Sequence, residues 1–82
     1  MEKSNENIPK RELTLGEKRV GLTFNPSNNG SVENFKRRTA YLIDSLEKMK
    51  KGADGEKIRS IARAQSFYED ACMNAVKAHF KE

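Results

Sequence analysis

The chain has 82 residues, 35% of them hydrophobic and 34% charged, and a net charge of +4. A chain this short buries only about 60% of its unfolded surface, so one small domain is allowed and a lone core is marginal. One cysteine, Cys72, and one histidine, His79, leave no basis for an internal disulfide, a thiolate zinc site, a histidine metal cluster or a Ser-His-Asp triad.

No apolar run approaches the roughly 18 residues of a membrane span, and the opening MEKSNENIPKRE lacks the apolar stretch of a signal peptide. The expectation is a cytoplasmic, non-enzymatic protein without a cofactor and without a membrane partner.

Residues 1–19 are charge-rich with little periodicity and read as a flexible N-terminal arm ahead of a domain spanning 20–82. Val20, Leu22 and Phe24 alternate with Gly21 and Thr23, a short extended pattern. The stretch from Asn25 to Gly30 is dense in turn formers. Pro26 fixes its own φ and holds Asn25 out of the helical region, so an ordered turn is predicted.

Ser31 is the predicted N-cap of a helix over about 31–51, with Glu33 in its first turn. Val32, Phe35, Thr39, Leu42, Leu46 and Met49 recur at 3-4 spacing, an amphipathic stripe that Ile43 widens. Gly52 suits a left-handed helix end. A second helix is predicted over 55–80, with a stripe through Ile58, Ile61, Gln65, Tyr68, Cys72, Ala75 and His79. A second row, Ala62, Met73, Val76 and Phe80, broadens it. The fold class is therefore all-α, an antiparallel two-helix hairpin. Each apolar stripe is wider than one partner helix covers, which predicts a homo-oligomer.

The charge surplus is local. Residues 31–51 carry six basic against three acidic side chains, whereas 52–82 carry five of each. A hairpin gathers Lys36, Arg37, Arg38, Lys77, His79 and Lys81 at its open end, beside the turn that follows Phe24. With free N–H groups at the helix start, that cluster suits a ligand carrying phosphates and a base to stack on Phe24. The plainer alternative is that Phe24 staples the turn and the lysines and arginines are a solvated face. Arg59 and Arg63 share a helix face at i,i+4 and form a second candidate phosphate grip. Glu69 is expected to pair with a base across an interface, and Cys72 to be a small core hydrophobe.

The order of these signals resembles a known family. Val20-Gly21-Leu22-Thr23-Phe24-Asn25-Pro26-Ser27 is followed by Val32 and Lys36, then by Ala40-Tyr41-Leu42-Ile43-Asp44. Later come Glu69-Asp70-Ala71-Cys72-Met73-Asn74-Ala75-Val76-Lys77-Ala78. This is similar to the helical-hairpin domain of the phage anti-CBASS and anti-Thoeris sponge proteins, over about residues 20–80. Asn74 stands where that family usually has tryptophan.

The resemblance implies a non-enzymatic homo-oligomer, often a hexamer in the family, that sequesters cyclic di- or trinucleotide immune messengers in the bacterial cytoplasm. Residues 1–20 are too few for the extra β-domain of the anti-Thoeris members. By position, Phe24 resembles the base-stacking aromatic and Lys36 the phosphate-binding lysine, with Arg38 just beyond. Asn25, Pro26 and Ser27 complete the implied binding turn.

Two rival readings compete with it. One is a small basic helical protein that binds nucleic-acid polymers, although the surplus is modest and no recognition-helix motif is present. The other is a purely structural assembly module.

Overall fold

The computed structural model describes residues 11–25 and 28–81. Every regular element among them is helical: α1 (Leu15–Val20), α2 (Gly30–Lys48) and α3 (Gly55–Phe80). The all-α class holds, with three helices packed together where two were expected.

The additional helix, α1, falls partly in the segment read as a flexible arm. Thr14 starts it: its hydroxyl accepts from the Glu17 amide at 3.1 Å while the Glu17 carboxylate accepts from the Thr14 amide at 2.9 Å. This reciprocal capping box satisfies two otherwise orphaned donors. Arg11 then clamps Glu17 through two bonds of 2.7 and 2.6 Å. The extended reading of Val20–Phe24 is corrected as well. Val20 closes α1, and Gly21 at φ 66° turns the chain back, a conformation glycine adopts without a Cβ penalty.

The Arg11 clamp holds the Glu17 carboxyl at about 2, below its ordinary 4.5, against the opposing effect of burial. A carboxyl depressed in the folded state contributes stability that is complete above its unfolded value and is lost as pH falls towards the folded one. Acid should therefore loosen α1 between pH 4.5 and about 2. A Glu17→Gln variant should be weaker than wild type at neutral pH and should converge with it in acid. Urea midpoints measured across that range check this, and parallel acid losses in both proteins would refute it.

α1 lies tight against α2. The Gly16 amide donates to Asp44 Oδ1 at 2.7 Å, and a Cβ at position 16 would sit 2.3 Å from the Ala40 carbonyl oxygen. On the other side Arg19 reaches α3, its guanidinium 2.8 Å from Glu69 Oε1. Glu69 thus finds its base within its own chain, and the expectation of an intermolecular partner is corrected.

The cap of α2 is Asn29, not Ser31; its Oδ1 accepts from the Ser31 and Val32 amides at 2.9 and 3.1 Å. The helix ends at Lys48, three residues short of the predicted end, and continues as a turn through Gly52 at φ 75°. Asp54 caps α3 by accepting from the Lys57 amide at 2.8 Å. α2 and α3 run in opposite directions: the Asn29 amide meets His79 at 3.0 Å, and Gln65 Nε2 donates to the Ile43 carbonyl at 3.0 Å.

The core consists of Val20, Leu22, Ala40, Ile43 and Cys72, with Val32 and Ile61 also buried. α3 presents Ile61, Gln65 and Cys72 inward, all members of the predicted stripe. α2 buries only Val32 of its predicted stripe, together with the widening residue Ile43. Its buried line is Val32, Lys36, Ala40 and Ile43, while Phe35 and Leu42 are each 39% exposed and Met49 49%. Three buried residues follow stripe residues by one position, a rotation of about 100°. Ala40 decides it, because only a small residue lets α1 approach so closely. No helix among the described residues is long and apolar enough to cross a membrane.

Candidate functional site

The turn after α1, the first half of α2 and the last third of α3 enclose a cleft of about 310 Å³, lined by Val20, Gly21, Phe24, Lys36, Cys72, Met73, Val76 and Lys77. The local sequence explains each contribution. Gly21 reverses the chain so that Phe24 lies beside α2. Lys36 stands on the core line of α2, and Cys72, Met73 and Val76 follow one another around a single turn of α3.

Lys36 is the organising residue, only 7% exposed. Its ammonium donates to the Gly21 carbonyl at 2.9 Å and to the Phe24 carbonyl, so two of its three N–H groups hold the turn. The same nitrogen lies 5.7 Å from the centroid of the Phe24 ring, within cation–π range. Burial pushes the Lys36 ammonium below its ordinary pKa, and the neighbouring Cys72 acts in the opposite direction. Phe24 itself is 72% exposed, a ring tethered by its backbone with its face open to solvent.

Asn25 shapes the turn: its Nδ2 donates to the Asn29 carbonyl at 2.9 Å and its Oδ1 accepts from the Asn29 amide at 3.1 Å. Asn25 is thereby a brace for the N-cap of α2. The expected free N–H groups at the start of α2 are a correction, because Asn29 already accepts from two of them. Pro26 and Ser27 lie outside the described residues.

Phe24 and Lys36 are brought together, as the sequence suggested, with Lys77 on the same rim. Arg38 does not line the cleft and instead donates from Nε to Asn34 Oδ1 at 3.0 Å on the exposed surface. Arg59 and Arg63 lie in a separate shallow groove of about 380 Å³ with Glu56, Ser60, Ala64 and Phe67. That groove is formed along α3 itself; Arg63 and Met73 are ten residues apart, about 15 Å along the helix.

The cleft lining that sequence reasoning left unassigned is apolar: Val20, Met73 and Val76. The second apolar row of the last helix was its signal, since that row exceeds what α2 alone covers. Among the described residues no group of three or more His, Cys, Asp or Glu side chains is placed to hold a metal. Chemically the cleft offers a flat ring, an apolar floor and two ammonium groups, a combination that binds planar anions. Comparison with protein-family models, curated proteins and solved structures finds no match to this chain in any of the three.

Proposed function

We propose that the protein is a non-enzymatic sponge that binds cyclic di- or trinucleotide messengers and withholds them from their receptors. In this reading it works as a cytoplasmic homo-oligomer without a cofactor. One observation carries the reading: Phe24 and Lys36 share a single cleft with an apolar floor, lined also by Lys77. A nucleobase needs a flat apolar face to stack on, and the phosphate attached to it needs a cation. Val20, Met73 and Val76 supply apolar surface beside that charge contact. Lys36, held by two carbonyls, contributes a fixed positive field, and Lys77, more exposed on the rim, is free to follow the phosphate. A cyclic ligand repeats the base–phosphate unit, so an oligomer offers it several equivalent clefts.

Calorimetry against a panel of cyclic di- and trinucleotides tests the reading. Phe24→Ala should weaken binding by about 1–3 kcal/mol, the range for losing a stacking face. Lys50, paired with Glu47 at 3.0 Å near the far end of α2, is the control, and Lys50→Ala should leave affinity unchanged. Absence of binding across the panel, or equal losses in both variants, would overturn the proposal. Ligand recovered after long incubation should be chemically intact, and a linearised product would exclude a sponge. A slope in salt too steep for two or three phosphates would point instead to polymer binding.

A further inference from the structure

We propose that His79 is a positioning residue for the cleft, and that uptake of a proton by its imidazole releases the turn that carries Phe24. The bond between His79 and Asn29 has only one workable polarity. Asn29 Oδ1 is committed to capping α2, accepting from the Ser31 and Val32 amides at 2.9 and 3.1 Å. Asn29 Nδ2 is the atom that lies 3.0 Å from His79 Nε2, and a side-chain amide nitrogen only donates. His79 Nε2 must therefore accept, which requires a neutral ring with its proton on Nδ1. A protonated ring carries N–H at both nitrogens and sets donor against donor. Asn29 cannot turn its amide over in response, because that would face Nδ2 to the two capping N–H groups.

The bond reaches the cleft through Asn25. The Asn29 backbone donates to Asn25 Oδ1 at 3.1 Å and accepts from Asn25 Nδ2 at 2.9 Å. Asn25 directly follows Phe24, whose carbonyl is held by Lys36. On the other side, His79 stands two residues beyond Lys77, which lines the cleft from α3 with Met73 and Val76. The His79–Asn29 bond thus ties the aromatic wall of the cleft to its α3 wall. His79 is exposed, so a proton reaches it from solvent, and imidazole is the side chain suited to gain one between about pH 5 and 8.

The charged and titratable groups on the surrounding elements do not replace this bond. Glu33 at the start of α2 pairs with Arg37 at 2.7 Å, and Lys36 holds the Gly21 and Phe24 carbonyls. Arg19 of α1 pairs with Glu69, about 15 Å back along α3 from His79. On α3 itself Cys72 is buried about two turns away. Lys77 and Lys81 flank the ring in sequence and repel a positive charge, whereas the carbonyl end of the helix attracts one. These influences set where the proton is gained, and none of them lets a protonated ring accept a hydrogen bond.

The first test needs no nucleotide. His79 is the only histidine of the chain, so nitrogen NMR of the whole protein at about pH 7.5 reads its imidazole directly. The proton should sit on Nδ1, and a ring protonated on Nε2 instead overturns the proposal. Affinity for cyclic di-AMP and cyclic di-GMP is then measured at about pH 7.5 and 5.5. Wild type should bind about three- to fivefold more weakly in acid, the net worth of one hydrogen bond. His79→Gln, whose side-chain carbonyl accepts from Asn29 without titrating, should match wild type at the higher pH and keep that affinity in acid. His79→Ala should show the weaker affinity at both. Equal pH profiles in wild type and His79→Gln overturn the proposal. The effect on nucleotides rests on the sponge reading, whereas the position of the imidazole proton does not. If neither nucleotide binds, the sponge reading falls and hydrogen exchange of the Asn29 backbone amide decides. Its protection should drop about threefold in acid in wild type and not in His79→Gln, and an equal drop in both overturns the proposal.

Discussion

Gly16→Ala is expected to destabilise the protein by about 3 kcal/mol, the upper end of the range for forcing atoms into a packed site. In an ordinary helix the same change is favourable by about 1 kcal/mol, so the sign itself is diagnostic. The new methyl would lie 2.3 Å from the Ala40 carbonyl oxygen and 2.9 Å from the Ala40 carbonyl carbon and Cα. These are backbone atoms of α2 and cannot swing aside. Instead α1 must lift, which stretches the Gly16–Asp44 hydrogen bond and withdraws Arg19 from Glu69. Two glycines provide the comparison: Gly30 and Gly55 have nothing within 4 Å of a built Cβ, so Ala at either should be tolerated. Urea unfolding measures all three variants, and a Gly16→Ala protein as stable as wild type would show that α1 does not depend on this approach.

Lys36→Ala is expected to lower stability and ligand affinity together. Removing the ammonium strips the partner from the Gly21 and Phe24 carbonyls, at about 1 kcal/mol or somewhat more for each part-buried group. Freed of that tie, the turn no longer holds Phe24 against the cleft, and the charge facing the phosphate is gone. The affinity loss should be about 1.5–3 kcal/mol, as for a charge-assisted hydrogen bond. Phe24→Ala separates the two effects. That ring is 72% exposed, so its removal should reduce affinity while leaving the urea midpoint nearly unchanged. A Lys36→Ala protein with wild-type stability would show that the carbonyl contacts carry no weight. One with reduced stability and wild-type affinity would remove Lys36 from the binding site.

Much of this arrangement was legible in the residues themselves. The long helix to Phe80 could be read because its stripe keeps 3-4 spacing from Ile58 to His79, about six turns, with no glycine or proline inside it, and Asp54 caps it. Of the turn predicted over residues 25–30, the bracing of Asn29 by Asn25 is seen, because asparagine acts on the local backbone whatever surrounds it. The pairing of Phe24 with Lys36 was suggested by the family resemblance. Its geometry depends on Gly21 reversing the chain and on Lys36 holding the turn carbonyls, which the extended reading of residues 20–24 did not contain. α1 escaped notice because six residues hold less than two turns of periodicity, although Thr14 and Glu17 carry the spacing of a capping box.

The orientation of α2 was not available from local pattern. Periodicity weighs Phe35, Leu42 and Met49 above Lys36 and Ala40, because transfer from water favours the larger apolar groups. Packing applied a different criterion. The line that could receive α1 had to be narrow at Ala40, and the lysine beside it became burial-compatible once two turn carbonyls accepted its protons. Sequence by itself determined that two long helices are separated by a break at residues 52–55, because caps and turns there are interactions between near neighbours. α1, the Asn29 cap and the end of α2 at Lys48 came from the structure. Which face of α2 is inside, and therefore which face is left for a partner, was decided only when a helix distant in the chain came to lie against it.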